Sequence, residues 1–197
     1  MFLENTINHS KQSGWMEVIC GSMFSGKTEE LIRRLRRAEM AGQNVEIFKP
    51  KIDTRYDDVE VVSHNQNKIR STPVESSNEI LLLGSTCDVV GIDEAQFFDE
   101  GITEVANQLA NNGIRVVIAG LDMDFLGRPF GPMPFLMATA EYVTKVHAIC
   151  KRTGNLANYS MRISENEDLV ELGETESYEA VSRRVFMDEV LNKNKDK

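Results

Sequence analysis

Eight residues, Gly21-Ser-Met-Phe-Ser-Gly26-Lys27-Thr28, constrain the fold more than any other stretch of the chain. Their spacing, G-x-x-x-x-G-K-[ST], is that of a phosphate-binding P-loop, a motif that needs a strand before it and a helix after it. Both are legible. Trp15–Cys20 (Trp-Met-Glu-Val-Ile-Cys) reads as a strand, and Glu29–Met40 as a helix with Leu31, Ile32, Leu35 and Ala38 on one face. Glycines let backbone N–H groups turn inward around an anion without Cβ clashes. The helix N-terminus adds partial positive charge and unpaired donors. Lys27 is placed to reach the β- and γ-phosphates, and the Thr28 hydroxyl to ligate Mg²⁺. Gly21, Ser22, Met23, Phe24, Ser25, Gly26, Lys27 and Thr28 are therefore the expected phosphate-binding residues.

A chain of 197 residues has room for one core domain with a small appendage, and its 41% hydrophobic content supplies the core. The net charge of −9 argues against sequence-independent binding to DNA or RNA, which requires a basic face. It leaves open a nucleotide, whose phosphates need only a few local donors. The three cysteines, Cys20, Cys87 and Cys150, are scattered and odd in number, so no disulfide framework follows and a reducing compartment is expected. No run approaches the roughly 18 apolar residues of a membrane helix, and no apolar signal region stands at the N-terminus. A cytoplasmic protein without membrane or nucleic-acid-polymer partners is the expectation.

Residues 1–13 read as a loose leader. In the helix after the P-loop, Glu29 and Glu30 stand four residues before Arg33 and Arg34, a favourable ion-pair orientation. Arg33, Arg34, Arg36 and Arg37 read as a solvated helix face rather than a polyanion site. Val45–Lys49 is a second strand. Short strands over Val59–Val62 and Lys68–Thr72, around a turn at Asn65-Gln66-Asn67, predict a β-ribbon inserted near 55–72. Helices follow at Ser76–Leu83, Gly101–Asn112 and Phe135–Glu141, with strands at Asp88–Glu94, Arg115–Gly120 and Tyr142–Ile149. Strands alternating with helices predict an α/β fold with a mostly parallel, RecA-like sheet over residues 14–149, its ligands held beyond the carboxyl ends of the strands. From Cys150 the texture turns polar. Residues 150–186 read as a small second lobe, with Leu169–Leu172 and Tyr178–Phe186 strand-like, and 187–197 as a frayed tail.

The strand ending Ile92-Asp93-Glu94 supplies the second half of a P-loop site, because such proteins deliver an aspartate to the Mg²⁺ shell from a later strand. Asp93 is in that place. Glu94 follows it, and two roles are open to it: activating a water, or accepting the proton of a substrate hydroxyl.

Four stretches in this order resemble the type II thymidine kinases, the cytosolic bacterial and vertebrate family: Gly21 to Thr28, Asp53-Thr54-Arg55-Tyr56, Ile92-Asp-Glu-Ala-Gln-Phe-Phe98, and Gly120-Leu-Asp-Met-Asp-Phe125 continuing to Pro129-Phe130-Gly131. The resemblance spans about Gly14 to Phe186. It implies ATP-dependent phosphorylation of the 5′-hydroxyl of thymidine, and of deoxyuridine, in nucleotide salvage. It implies Glu94 as catalytic base, with Lys27 and Arg55 beside the transferring phosphate. The P-loop and Asp93, Glu94, Ala95 and Gln96 are implied as ATP contacts, and Thr28 and Asp93 as the Mg²⁺ site. Met23, Phe97, Leu121 and Phe125 match residues that enclose the nucleoside. The second lobe matches a lasso whose backbone reads the base edge, through Leu169, Val170, Glu171, Leu172 and Gly173, with Tyr178 following. Relatives are usually homotetramers, and feedback by dTTP is implied. The competing readings are a P-loop nucleotide hydrolase and a non-catalytic nucleotide-binding regulator.

One departure from the family stands out. Most relatives fix the lasso with zinc held by two Cys-x-x-Cys or Cys-x-x-His pairs. The corresponding positions are Cys150, Thr153, Ser182 and Val185. Only Cys150 is a competent ligand, so no zinc site is expected. Packing of Ile149, Leu156, Val181, Val185 and Phe186 is expected to hold the lobe instead. A smaller departure is Leu126, where relatives often carry a basic residue.

Overall fold

The structure, a computed structural model, describes residues 14–51, 60–62, 68–163 and 177–193. In chain order the elements are β1 (Trp15–Cys20), α1 (Lys27–Met40), β2 (Val45–Pro50), β3 (Glu60–Val62), β4 (Lys68–Arg70), β5 (Thr72–Val74), α2 (Ser77–Gly84), β6 (Val89–Ile92), a 3-10 turn (Ala95–Phe97), α3 (Ile102–Asn111), β7 (Arg115–Gly120), α4 (Met133–Thr139), β8 (Tyr142–Lys145), β9 (Ala148–Ile149), β10 (Leu156–Ala157), β11 (Tyr159–Arg162), β12 (Tyr178–Val181) and α5 (Arg183–Lys193).

Six strands form one sheet in the order β5-β2-β6-β7-β1-β8, and every neighbouring pair is parallel. The P-loop strand β1 and the strand that delivers Asp93, β6, are not neighbours. β7 lies between them, so the segments leaving β1, β6 and β7 emerge side by side at the carboxyl edge, where α/β sheets hold their ligands.

Alternation along the central strands sends residues to two cores. Met16, Val18 and Cys20 of β1 join Val116 and Ile118 of β7 in a core that α2, α3 and α4 cover. Ile19 of β1 and Val117 and Ala119 of β7 turn the other way and pack on Leu31, Ile32, Leu35 and Ala38 of α1. Both faces are buried, the usual condition of a parallel sheet with helical crossovers.

Glu17 occupies the α1 side of β1 and is completely buried. Its carboxylate accepts from Arg34 Nη1 at 2.8 Å, Arg115 Nε at 2.7 Å and Trp15 Nε1 at 2.7 Å. Arg34 also donates to Glu30 and Thr144. The arginines of α1 therefore do not form one solvated face: Arg34 is drawn into this buried network, while Arg33 stays outside and pairs with Glu30. Burial alone would raise the Glu17 carboxyl. Hydrogen bonds from Arg115 and Trp15, with the charges of Arg115 and Arg34, outweigh it and hold the group below its ordinary value. The Arg33 guanidinium, assisted by Arg34 against partial burial, holds Glu30 down to about 2.

Glu17→Leu is expected to destabilise the fold by about 3–5 kcal/mol, because it leaves buried guanidinium groups uncompensated. The midpoint of denaturant unfolding measures this. The wild-type protein should also lose stability in acid. A carboxyl that titrates lower when folded contributes fully above its unfolded value, 4.5 for Glu17 and Glu30. That contribution disappears as pH falls toward the folded value. Thermal melts between neutral pH and acid should show the decline, and in Glu17→Leu its Glu17 share should be missing.

The second lobe departs from its sequence pattern. The strand expected over 142–149 is two elements. β8 runs beside β1 and ends at Lys145, and after Val146 and His147 the chain restarts as β9, antiparallel to β10. Thr72, expected in the ribbon, instead begins β5 in the main sheet. The run 178–186 is strand only to Val181, and α5 then carries the chain through residues expected as a frayed tail. β10 and β11 carried no clear strand pattern.

Around these strands lies a satellite core of Ala148, Cys150, Ala157, Tyr159, Ala180, Val181 and Phe186, with Val185 partly buried against it. Tyr159 and Phe186 stack with centroids 4.4 Å apart. Ile149 and Leu156, expected inside, are 59% and 57% exposed. They are cross-strand partners, and so are Ala148 and Ala157. In a two-stranded unit the two pairs face opposite sides, and the alanine pair faces the core.

Candidate active site

The phosphate loop joins β1 to α1. Gly21 sits at φ 147, and a Cβ there would stand 2.2 Å from the Val146 carbonyl oxygen, so only glycine fits this approach of two backbones. Gly26 is left-handed at φ 84 and directly precedes α1, which no side chain caps. The helix begins at Lys27, two residues earlier than the sequence pattern suggests. Lys27 and Thr28 thus both stand in the first turn, where the helix end attracts anions. Lys27 is buried, and its Nζ donates to the Ser22 carbonyl at 2.9 Å. Ser25 Oγ donates to the same carbonyl at 2.7 Å. Cys20, buried at the foot of the loop, is no candidate nucleophile: burial, reinforced by the Asp122 charge, pushes its thiol up to about 11.

Asp93 leaves the end of β6 facing this first turn, and Thr28 Oγ1 donates to Asp93 Oδ2 at 3.2 Å. Two side chains 65 residues apart thereby present a hydroxyl and a carboxylate to one another. They are hard oxygen donors of the kind Mg²⁺ takes, so the pair fits that ion.

Glu94 is one of two non-glycine residues with positive φ among those described, at φ 51 and ψ 41; the other is Phe24 of the loop, at φ 61. Such conformations cost free energy and collect where a side chain must be aimed. The Glu94 N–H donates to Asp93 Oδ1 at 3.0 Å, and Phe97 N–H to the Glu94 carbonyl at 3.1 Å. Gln96 Nε2 donates to Glu94 Oε2, and Gln96 Oε1 accepts the Leu121 N–H at 2.8 Å. Ala95 is buried beneath the turn in the core on the α3 side.

The residues matched to nucleoside contacts are each held by a neighbour. Met23 N–H donates to Ser160 Oγ at 2.9 Å, and Ser22 Oγ to the Ala157 carbonyl at 3.2 Å, so the phosphate loop is tied to β10 and β11. Phe24 packs on the satellite core. Phe97 meets Phe130 edge to face at 5.7 Å. Leu121 is fixed through its backbone bond to Gln96. Arg162 lies over the Phe125 ring at 3.9 Å and donates from Nε to the Tyr178 hydroxyl at 3.2 Å. Leu126 is exposed. Arg55 and the stretch Leu169, Val170, Glu171, Leu172 and Gly173 lie outside the described residues, as does the turn at 65–67.

Sequence reasoning missed Ser160 and Arg162. Their strand shows no alternation of buried and exposed positions that would have marked it. Asp122, buried at the end of β7 and paired with Lys145 Nζ at 2.7 Å, carries a signal only in its place at a strand end.

The four positions matched to zinc ligands come together without a ligand set. Thr153 Oγ1 lies 3.5 Å from Ser182 Oγ, and Cys150 is buried beside them. Burial alone would raise the Cys150 thiol. The Thr153 hydroxyl and the backbone N–H groups of Ser182, Arg152 and Thr153 outweigh it and lower it to about 7. Among the described residues no group of three or more His, Cys, Asp or Glu side chains is arranged to hold a metal.

Comparison with known proteins agrees with this geometry. The thymidine kinase family profile matches residues 14–186. A thymidine kinase of Bacteroides fragilis is 61% identical over 186 residues, covering 94% of each chain. One from Bacteroides thetaiotaomicron is 60% identical over 187 residues, 95% of this chain and 94% of the relative. One from Porphyromonas gingivalis is 62% identical over 184 residues, 93% of this chain and 90% of the relative. With a phosphate loop, a facing Thr28–Asp93 pair and Glu94 at one sheet edge, and with matches of this length, the chain belongs to the thymidine kinase family.

Proposed function

We propose that this protein transfers the γ-phosphate of ATP to the 5′-hydroxyl of thymidine, and of deoxyuridine, giving the monophosphate for nucleotide salvage. The observation that carries the reading is Glu94, whose N–H is bonded to Asp93 and whose carboxylate accepts from Gln96, at the sheet edge that also holds the phosphate loop. Phosphoryl transfer asks little covalent work of a protein and much positioning. The loop N–H groups and Lys27 hold the triphosphate. Thr28 and Asp93 would hold Mg²⁺, which would neutralise charge on the phosphates. Glu94 accepts the proton of the 5′-hydroxyl as that oxygen attacks phosphorus. Arg55 is assigned to the transferring phosphate, and the backbone of 169–173 to the base edge, both on the family match. The apolar surroundings offered by Met23, Phe97, Leu121 and Phe125 suit the nucleoside. A hydrolase reading is weaker because Glu94 stands near Phe97 and Leu121, which the family resemblance matches to nucleoside contacts. A scan of nucleosides as acceptors, reading labelled monophosphate, tests the assignment.

The thymidine triphosphate end product joins the same base to a triphosphate, so it would compete for both halves of this site. Feedback by dTTP follows. A homotetramer and a cytoplasmic location complete the reading, the latter supported by free cysteines at 20, 87 and 150. Among the described residues no helix is long and apolar enough to cross a membrane.

The lobe is proposed to hold without structural zinc. Hydrogen bonds around Cys150 and the Tyr159–Phe186 stack take the place of a metal. Protein prepared without chelator should carry far less than one zinc per chain by elemental analysis, and thymidine phosphorylation should survive prolonged chelation. Stoichiometric zinc, or loss of activity on its removal, contradicts this.

A further inference from the structure

We propose that Gln96 is a positioning residue that aims the Glu94 carboxylate at the attacking hydroxyl. The proposal rests on the reading of Glu94 as base. Gln96 is 3% exposed and spans two segments that meet only in the fold: its amide nitrogen donates to Glu94, and its amide oxygen accepts the Leu121 N–H.

The orientation of that amide follows from chemistry. A backbone N–H can only donate, so the oxygen must face Leu121 and the NH₂ group must face Glu94. The bond therefore selects a Glu94 oxygen as acceptor, the form a base must have before it takes a proton.

The surroundings leave Gln96 little freedom to turn. A Cβ on Gly131 would stand 2.4 Å from the Gln96 carbonyl oxygen, and Gly131 is itself left-handed at φ 49. A Cβ on Gly120 would meet Gln96 Oε1 at 3.0 Å and Met133 Sδ at 2.6 Å. Both glycines belong to stretches, Gly120 to Phe125 and Pro129 to Gly131, whose physical purpose the sequence leaves unexplained. Their common neighbour is Gln96. Glu94 meanwhile holds a backbone conformation that costs free energy, and a side chain held at that cost needs an outside contact to fix its direction. The same amide joins Glu94 to Leu121, one of the residues matched to the nucleoside, so base and substrate wall are set by a single side chain.

Gln96→Glu isolates the effect. It keeps the acceptor for the Leu121 N–H and replaces the donor toward Glu94 with a carboxylate oxygen that repels it. Gln96→Leu removes both, and a thermal melt checks that each variant is folded. Both should lower kcat by about 10²-fold, the scale on which a misplaced group costs rate. In Gln96→Glu, which keeps the Leu121 bond, KM for ATP and for thymidine should stay within about twofold, because substrate binding is not the lost function. In the Glu94→Gln background, Gln96→Glu should have no further effect, since residues that act as one unit are not additive. An equal fold-loss in both backgrounds overturns the proposal and leaves the base assignment standing. A rise in KM for ATP with unchanged kcat also overturns it, making Gln96 an ATP contact only. A Glu94→Gln enzyme with near wild-type turnover overturns the base assignment and this proposal with it.

Discussion

Glu94→Gln is expected to lower turnover by about 10²–10⁴-fold, the range in which a general base contributes. The substitution preserves size and removes only the basicity. The Glu94 N–H bond to Asp93 and the carbonyl bond from Phe97 are backbone bonds, so the left-handed turn should persist. Binding of ATP should be largely intact, because Lys27, the loop and the Thr28–Asp93 pair are untouched. Steady-state turnover beside equilibrium binding of a non-hydrolysable ATP analogue separates these effects. Loss of both together would mean that Glu94 supports the phosphate site rather than the proton transfer.

Lys27→Ala should abolish most activity by another route. The Lys27 ammonium is buried in the first turn of α1, against the Ser22 carbonyl within the loop. On the proposed reading its charge meets the β- and γ-phosphates, where negative charge shifts during transfer. Deleting one preorganised donor of this kind costs about 10²–10³-fold in turnover. The loss should remain at saturating ATP, because the interaction strengthens in the transition state. Near-normal turnover under saturation, with only KM raised, would reduce Lys27 to a ground-state contact. Unlike Glu94→Gln, this variant should also weaken binding of the triphosphate itself.

The legible parts of this protein are those that local chemistry decides. The P-loop is contiguous, and its glycines, lysine and threonine specify a turn and a helix start within eight residues. β1 and β7 are short runs rich in apolar residues, and both are observed over the expected spans. Asp93 is marked by its place after a buried strand.

What escaped depends on distant partners. Gln96 reads as one more residue of the segment that matches ATP contacts. Its bond to Leu121 spans 25 positions, and its crowding by Gly120 and Gly131 exists only in the fold. Nothing in the sequence of 142–149 marks a break at Val146 and His147, yet β8 can run only as far as its register beside β1, which ends at Cys20 where the loop turns away. Tyr178, Ala180 and Phe186 look like one strand because each is apolar, and the one local start signal for α5 is Ser182, directly before it. In β11 three of four residues are buried, so the period of two that would reveal a strand is absent.

The most direct measurement follows the terminal phosphate. The protein is incubated with Mg²⁺ and ATP labelled at the γ-position, with and without thymidine, and the products are separated. Label is expected on thymidine monophosphate in step with ADP formation, with ADP formation near background when thymidine is left out. Label released as inorganic phosphate at the same rate with or without thymidine would contradict it, and would make Glu94 an activator of water.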